Sequence, residues 1–354
     1  MDAKCLRNHR CWRIICVENY ISQQSNCRKG EAVISIIIPV YNGEAFIERC
    51  IESLLSSLSP QQTALQVIAV NDGSRDRSSE RLHRLAERFP ALQVIDKENG
   101  GAASARRLGI SFATGDYVGF LDADDWADAH YYPALEAKAR ESGADIVVGN
   151  YTEEYPSRSC HVKNRFSEGQ VLPLPPKDAL SYLHRRLAVF PFPWNKLYRT
   201  ELLRAIDFPQ GNFVGEDYYM QLRLLELANG VDYADVDGYH YVLTENSASR
   251  GGYGPATLLA YEHFKEDLEY VRRHYPQQST EATCYVITEY LACIVAMGRN
   301  RVYNKEMIRQ IKSFLRKNLW SYVRADYVPA KMKGSALALL ISYRLLLGLY
   351  RILA

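Results

Sequence analysis

The chain has 354 residues, 47% of them hydrophobic, and carries a formal net charge of +2 at pH 7. This length and apolar content allow a large buried core, which argues against a disordered chain, and the lack of internal repeats excludes a tandem-repeat architecture. The near-neutral total hides an asymmetry, because twelve basic residues stand against two acidic ones between positions 299 and 351.

Residues 1 to 32 precede any regular pattern and contain four of the eight cysteines. No CxxC or HxxxH spacing indicates a zinc site, and no signal-peptide core is present because Arg and Glu interrupt the apolar residues. The other four cysteines are scattered singly, which suits reduced thiols in a cytoplasm. The sequence therefore predicts a poorly ordered N-terminal extension on a cytoplasmic protein.

Apolar runs predict buried strands, and each run ends in polar residues. The runs lie in 33–42 (VISIIIPVYN), 66–74 (QVIAVNDGS) and 115–126 (GDYVGFLDADDW), with helical spacing over 45–58. Strands that alternate with helix-length segments favour a parallel sheet with right-handed crossovers. Asp72 and Asp122 should therefore lie at the same edge of the sheet, where open α/β sheets bind ligands.

Three carboxylates, Asp122, Asp124 and Asp125, follow the third of these runs. Acidic groups at such close spacing repel one another unless a cation lies among them, and Mg²⁺ or Mn²⁺ prefers oxygen ligands and leaves coordination positions for phosphates. The alternative is that Asp124 or Asp125 only caps the next helix, since Asp is a favoured N-cap residue.

A further strand, 92–95, leads to Asn99, Gly100 and Gly101, and then to a helix that carries Arg106. Two glycines allow the backbone to approach a ligand closely. Each of these turns, taken alone, is explained as an ordinary connection between a strand and a helix. Together, at one sheet edge, the turns predict a nucleotide and phosphate site.

Four segments in this order, SIIIPVYNGEAFIERCIESLL, VNDGSRD, NGGAASARRLG and FLDADDW, resemble the family 2 glycosyltransferases with the GT-A fold, over about Val33 to Ser249. The resemblance implies a Rossmann-like, mostly parallel sheet flanked by helices. It also implies an inverting transferase that uses a nucleotide-sugar donor, usually UDP-linked, and a divalent metal, Mn²⁺ or Mg²⁺.

The resemblance also implies roles for individual residues. The nucleoside pocket would be lined by Pro39, Tyr41 and Glu44, with Asp72 hydrogen-bonded to uracil and with Gly101 and Arg106 near the phosphates. Asp122 would lie toward the ribose and the metal, and Asp124 would bind the metal. One position departs from the family pattern, because Arg107 stands where the family often has Asn.

The pair Glu216 and Asp217, in FVGEDYYMQL, resembles an acidic pair on the acceptor side of the family's site. A carboxylate within hydrogen-bond reach can deprotonate an acceptor hydroxyl, so we assign Asp217 as the base and Glu216 as an acceptor or orienting contact. The alternative is that both acids only favour the positive end of their helix.

The segment WNKLYR, residues 194–199, also resembles part of the family pattern. Trp194 offers a flat face on which a sugar ring can stack, and Lys196 offers a point charge for a phosphate oxygen. The alternative places Trp194 in the core and Lys196 in solvent.

The last segment, SALALLISYRLLLGLYRILA at 335–354, is almost wholly apolar. Because Arg344 and Arg351 interrupt it, a transmembrane span is not expected. Lys333, Arg344 and Arg351 are spaced by eleven and seven and would share one helix face, which is typical of a helix in an anionic membrane interface. The alternative is a terminal helix docked on the domain or in a homodimer. No nucleic-acid motif accompanies the basic excess, so no nucleic-acid partner is expected.

The sequence thus predicts an extension at 1–32, a glycosyltransferase domain at 33–250 (donor half 33–126, acceptor half 127–250) and a helical region at 251–354 that ends in a basic amphipathic helix. The predicted activity is metal-dependent, inverting transfer from a UDP-sugar to a lipid-linked glycan, on the inner face of the cell membrane, for a surface polysaccharide such as a capsule. The alternative is a non-catalytic module that binds sugar nucleotides or lipids. A dinucleotide-dependent oxidoreductase is not favoured, since no GxGxxG follows the first strand.

Overall fold

A computed structural model describes residues 33–56, 64–164, 166, 172–208, 215–243 and 255–353. The predicted N-terminal extension, 1–32, lies outside these ranges. The strands, in chain order, are β1 Val33–Val40, β2 Ala64–Asp72, β3 Leu92–Lys97, β4 Tyr117–Phe120, β5 Trp126–Ala127, β6 Ile146–Val148, β7 Tyr151–Tyr155, β8 Arg158–Val162, β9 Lys196–Arg199, β10 Val231–Tyr233 and β11 Tyr239–Val242.

The helices alternate with these strands in the first half of the chain and follow them in the second. They are α1 Ile47–Leu55, α2 Ser78–Arg88, α3 Ala102–Phe112, α4 Tyr131–Ser142, α5 Pro176–His184, α6 Thr200–Ala205, α7 Glu216–Leu227, α8 Pro255–His274, α9 Ser279–Arg299, α10 Lys305–Arg324, α11 Ala330–Ile341 and α12 Tyr343–Leu353. The helix predicted over 45–58 is α1, which is shorter by a few residues at each end.

The central sheet has seven strands in the order β10-β6-β9-β4-β1-β2-β3. All neighbours are parallel except β9, which runs antiparallel to both β4 and β6. The predicted fold class, an α/β fold with a mostly parallel sheet flanked by helices, is therefore confirmed. Because β1, β2 and β4 are parallel neighbours, the polar turns that follow them meet at one edge of the sheet. A second sheet, β5-β11-β7-β8, lies beyond the acidic turn that follows β4.

Helices cover both faces of the central sheet. On one face, α1, α2 and α4 bury an apolar cluster against residues such as Ile36 and Val67. On the other face, α3 and α7 share a continuous apolar cluster with the C-terminal helices, which include the buried Tyr285 of α9 and Leu339 of α11. The C-terminal helices therefore pack on the sheet domain through a common core.

The C-terminal segment corrects one expectation. A single helix was predicted over 335–354, but Ser342 is extended (φ −154°, ψ 136°) and separates α11 from α12. Lys333 and Arg344 therefore lie on different helices and cannot share one continuous helix face. Ala336, Leu339 and Leu346 are buried, so one side of this segment packs on the protein, while Leu337, Ile341 and Leu345 are exposed.

One helical segment in the described part of the chain, 276–299, is long and apolar enough to cross a membrane by length and composition. Its most apolar window is 67% buried inside the protein. A core helix of a soluble domain has the same properties, and α9, which makes up most of this segment, contributes buried residues to the apolar cluster.

Candidate active site

The acidic turn after β4 places its carboxylates in different surroundings. Asp125 is fully buried and accepts hydrogen bonds from the Tyr239 hydroxyl (2.6 Å) and the Val242 amide (2.8 Å), both on β11. Burial, followed by the charges of Asp122 and Asp124, raises the pKa of Asp125 well above its usual range. Asp125 thus ties the turn to the second sheet.

The alternative, that Asp124 or Asp125 only caps the next helix, is wrong. That helix, α4, begins at Tyr131, and its N-cap residue is His130. Neither acid lies at the helix start, so capping does not explain why two carboxylates follow Asp122 so closely.

The Asp124 carboxylate has little positive charge around it. Burial raises the pKa of Asp124, and the charge of Asp122 raises it further. Among the residues that the structure describes, no Lys or Arg forms an ion pair with the Asp124 carboxylate, although Arg49 donates to its backbone carbonyl (3.0 Å). This deficit fits a hard divalent cation, which takes oxygen ligands.

The number of protein ligands is small. Within the described ranges, no three His, Cys, Asp or Glu side chains are grouped closely enough to hold an ion by themselves. Asp122 and Asp124 would therefore supply two side-chain ligands and leave the other positions to phosphate oxygens and water, as is common for Mg²⁺.

Arg106, on α3, joins the acidic turn to the acidic pair at the start of α7. Its Nη2 donates to Asp122 (3.1 Å), and its Nη1 donates to Asp217 (2.9 Å) and to Glu216 (3.3 Å). The side chain is 6% exposed. Burial lowers the pKa of Arg106, but the three carboxylates outweigh burial and hold it above its usual value. Arg106 is therefore bound to carboxylates, whereas the resemblance implied a place near the phosphates.

Arg107, where the sequence departs from the family pattern, is exposed. It lies one residue further along α3, so its side chain points away from the buried face that holds Arg106. The departure leaves the three contacts of Arg106 unchanged.

Glu216 and Asp217 form the first turn of α7 and extend toward the acidic turn. Burial raises the pKa of Glu216 to about 7, against the opposing charge of Arg106. Burial also raises the pKa of Asp217, and again Arg106 opposes the shift. The Asp217 side chain is 35% exposed, so a hydroxyl group from a bound molecule can reach it. A carboxylate in this position can accept a proton.

The start of α7 is fixed by the packing of the residues on either side of the acidic pair. Gly215 has φ +100°, and a Cβ there would lie 2.6 Å from the Phe264 ring of α8. Tyr218 is buried and stacks on Tyr285 of α9, with ring centroids 4.4 Å apart. The C-terminal helices therefore hold the helix that carries Glu216 and Asp217.

Asp72, predicted to hydrogen-bond uracil, lies at the end of β2 with its carboxylate already bonded to protein groups. It accepts from the amides of Gly100 (2.9 Å) and Gly101 (2.7 Å) and from Lys97 (2.5 Å). These bonds shape the turn before α3, in which Gly101 has φ +87°. The uracil contact stays a prediction.

Pro39, Tyr41 and Glu44 lie at or just after the end of β1. Pro39 is half-buried, and Tyr41 is exposed, which leaves its ring accessible to a ligand. The Glu44 carboxylate accepts from the backbone and the side chain of Arg77 (2.9 and 3.1 Å), and these bonds lower its pKa. Glu44 therefore links the turns after β1 and β2, and the nucleoside pocket stays a prediction.

Trp194 does not offer a free face for a sugar ring. It is 4% exposed and stacks on Phe192 (centroids 4.0 Å apart), Tyr239 (4.5 Å) and Tyr241 (5.1 Å). The aromatic residues of the second sheet take up the surface that was expected to meet the sugar. The predicted stacking is therefore wrong for this conformation, and the alternative, a core tryptophan, describes it.

Lys196 is neither a phosphate contact nor a solvated residue. It is fully buried at the start of β9, and its Nζ donates to the Phe192 carbonyl (2.7 Å) and to Asn195 Oδ1 (2.8 Å). Burial lowers its pKa to about 7, while the charge of Asp217 acts in the opposite direction. Both expectations for Lys196 are thus corrected, because β9 runs through the middle of the sheet and points this side chain into the core.

Sequence reasoning missed Lys97, which bonds the Asp72 carboxylate. A signal was present, because Lys97 ends the strand next to β2 and pairs with Asp72 in register. It also missed that Arg106 would bind Asp217, 111 residues away in sequence. No local pattern indicates that contact.

The chain is similar to known proteins in sequence and in fold. Residues 35–207 match the family model described as Glycosyl transferase family 2. The chain is 32% identical over 263 residues to EpsJ, an uncharacterized glycosyltransferase of Bacillus subtilis, and the match covers 68% of this chain and 75% of EpsJ. It is 30% identical over 222 residues to the glycosyltransferase GlyA of Streptococcus pneumoniae, covering 61% of this chain but only 31% of GlyA.

Solved structures resemble the chain over nearly its whole length. The crystal structure of S. aureus TarS 1–349 in complex with UDP-GlcNAc matches with a TM-score of 0.62, and the match covers 90% of this chain and 91% of TarS 1–349. The two sequences are 19% identical, so the likeness is one of fold.

Proposed function

This chain belongs to glycosyl transferase family 2 and is a glycosyltransferase, and on that premise we propose that it transfers a sugar from a UDP-sugar to an acceptor hydroxyl with inversion at the anomeric carbon. The donor class is supported by the solved structure of like fold, which holds UDP-GlcNAc. The acceptor is a lipid-linked glycan that is extended into a cell-surface polysaccharide, and the enzyme works on the cytoplasmic face of the membrane.

One observation carries this proposal. Arg106 hydrogen-bonds Asp122 on the donor side and Asp217 on the acceptor side, so these two carboxylates lie at opposite ends of a single guanidinium group. A transferase needs this proximity, because the base must reach the hydroxyl that attacks the donor sugar. A module that only binds sugar nucleotides does not need it.

Asp217 is the base in this account. It accepts the proton of the acceptor hydroxyl as that oxygen attacks the anomeric carbon, on the face opposite to the leaving diphosphate, which gives inversion. Burial favours protonated Asp217 and Arg106 favours ionised Asp217. Arg106 therefore opposes the effect of burial on the pKa of the base. Glu216, whose pKa burial raises to about 7, orients the acceptor as a hydrogen-bonding partner.

Asp122 and Asp124 would hold a divalent metal, Mn²⁺ or Mg²⁺. When bound, such an ion neutralises the negative charge of the leaving nucleoside diphosphate. The fit rests on the raised pKa of Asp124 and on the lack of an ion-pair partner for its carboxylate within the described residues. Asp125 does not take part, since its carboxylate is fully buried and bonded to β11.

The proposal is tested by turnover with a panel of UDP-sugars and lipid-diphosphate acceptors, with NMR of the product to read the anomeric configuration. We expect transfer from at least one UDP-sugar, with the configuration inverted and with activity lost in excess chelator. A product of retained configuration contradicts the inverting mechanism. If the protein binds the donor but neither transfers its sugar nor hydrolyses it, the non-catalytic binding module is favoured.

A further inference from the structure

The outward side of α10 is strongly basic. This helix contains six basic residues and one acidic residue, Glu306. Met307, Ile308, Ile311, Leu315 and Tyr322 are buried against the core and define the opposite side. At about 100° per residue, the basic residues fall within an arc of roughly 140° on the outward side. We call this side the α10 basic face; its basic residues are Lys305, Arg309, Lys312, Arg316, Lys317 and Arg324.

The positive charge of this face is almost uncompensated by the protein. In the part of the chain that the structure describes, Arg309 with Glu306 is the one ion pair that these six residues make. The helix is 20 residues long, so the charges are spread over about 30 Å of surface. A surface of this shape and charge fits a flat, extended, anionic partner.

Trp320 lies in the middle of the same arc and is 72% exposed. Tryptophan combines a large apolar ring with one polar N–H group, and it is enriched where a bilayer meets water. Of the eight large hydrophobic side chains exposed in the described residues, six lie between positions 302 and 345. They include the aliphatic Val302, shortly before α10, and Leu337 and Ile341 of α11; these suit lipid acyl chains and have no role in binding a nucleic acid.

We propose that the α10 basic face is the surface on which the protein lies against an anionic bilayer. Its basic residues meet lipid phosphates, and Trp320 inserts at the headgroup level. The inference rests on the membrane side of the proposed function, and it moves the contact from the predicted tail helix at 335–354 to α10. Ala336, Leu339 and Leu346 of that tail are buried in the protein, whereas the basic residues of α10 point outward.

The test is sedimentation of the full chain with phosphatidylcholine vesicles, with and without phosphatidylglycerol. We expect binding only to the vesicles that contain phosphatidylglycerol, weakened by salt because exposed charges are screened. The triple variant Lys312→Gln, Arg316→Gln, Lys317→Gln keeps residues that favour a helix. It should bind at least tenfold more weakly, because each basic residue near an anionic leaflet strengthens membrane binding by roughly five- to tenfold.

A matched control removes three exposed basic residues from α2, α5 and α8: Arg84→Gln, Lys177→Gln, Lys265→Gln. We expect this variant to bind anionic vesicles as the wild type does. Trp320→Phe should remove the blue shift of the tryptophan fluorescence that the wild type shows on anionic vesicles. UDP affinity, measured for every variant, should stay unchanged because none of these residues lies at the candidate active site.

Three outcomes overturn the proposal. The first is equal binding by the triple variant and the wild type. In the second, a chain lacking residues 335–354 keeps its UDP affinity but no longer binds vesicles, while the triple variant still binds them. That result assigns the membrane contact to the tail. In the third, single-stranded DNA displaces the protein from vesicles, and DNA alone causes the same shift of the tryptophan fluorescence. That result indicates a nucleic-acid-binding surface. None of these outcomes bears on sugar transfer, which is measured separately with donor and acceptor.

Discussion

Arg106 on α3 and Asp217 on α7 lie 111 positions apart in the chain, yet Nη1 of Arg106 donates to Oδ1 of Asp217 across 2.9 Å. The same guanidinium reaches Asp122 through Nη2. The positive charge stabilises the ionised form of Asp217, which the buried surroundings alone would disfavour. One side chain thus couples the position and the protonation of the acceptor-side acid to the donor-side turn.

The first prediction concerns Arg106→Gln. Without the guanidinium the pKa of Asp217 rises, so the acidic limb of the pH-rate profile should move to higher pH. Three carboxylates also lose their cation, and we expect the free energy of unfolding to fall by roughly 3 kcal/mol. The exposed neighbour on the same helix, Arg107, provides the control Arg107→Gln, for which both quantities should match the wild type. An unshifted acidic limb in Arg106→Gln would show that Arg106 does not set the protonation of the base.

The second prediction concerns Asp124→Asn. It should abolish the thermal stabilisation that Mn²⁺ and UDP together give the wild type, about 2.7 kcal/mol at a hundredfold excess over Kd. The metal-free variant should be no less stable than the wild type, because the substitution removes a charge whose pKa burial and Asp122 have raised. Asp116→Asn, an exposed acid just before β4, is the control. Retained stabilisation by metal and UDP in Asp124→Asn contradicts the assigned ligand.

The third prediction follows from the buried Lys196. Its folded-state pKa of about 7 lies below its usual value of 10.5. Between these values the unfolded chain binds more protons, so this lysine makes the free energy of unfolding rise with pH, by up to about 1.4 kcal/mol per pH unit. Lys196→Met should remove that rise, whereas Lys177→Met, at an exposed site, should keep it. Denaturant titrations from pH 7 to 10 measure the slope, and equal slopes for all three proteins would contradict the burial of an uncharged Lys196 amine.

The fourth prediction separates steric from backbone effects at the start of α7. Gly215→Ala introduces a Cβ 2.6 Å from the Phe264 ring and also strains a residue at φ +100°. Gly143→Ala strains a residue at φ +71° but meets nothing within 4 Å. We expect losses of roughly 2 to 4 kcal/mol and about 1 kcal/mol, respectively, in denaturant unfolding.

Gly215→Ala should also lower turnover, because the next two residues are Glu216 and Asp217, and Phe264→Leu should restore part of the loss by making room. Equal losses of stability for Gly215→Ala and Gly143→Ala would show that the contact with Phe264 does not fix α7.

Local signals in the sequence predicted the part of the site that is built from the turns at the ends of the strands. The apolar runs that became β1, β2 and β4 are readable because strands buried on both faces need nearly continuous apolar residues. Parallel crossovers then place their ends at one sheet edge, which located Asp72, Asp122 and Asp124.

Long-range packing decided the rest, and no local pattern reports it. Trp194 and Lys196 have residue types suited to a sugar and a phosphate. Lys196 is turned into the core because β9 lies between β4 and β6 in the middle of the sheet, whereas Trp194, just before β9, is buried by stacking on aromatic neighbours. Asp124 and Asp125 are adjacent aspartates that the sequence does not distinguish. Only the hydrogen bonds from β11 show that Asp125 has a structural role. The break at Ser342 has no proline or glycine to mark it in the sequence.

The role of Asp217 as the base of a sugar transfer is tested by Asp217→Asn, with Asp207→Asn at an exposed site as the control. The substitution keeps the shape of the side chain and removes its proton-accepting charge. UDP-sugar affinity, measured by calorimetry, should stay at the wild-type value, while turnover should fall about a hundredfold or more. Wild-type turnover together with unchanged donor affinity in Asp217→Asn would contradict the account and place the base elsewhere.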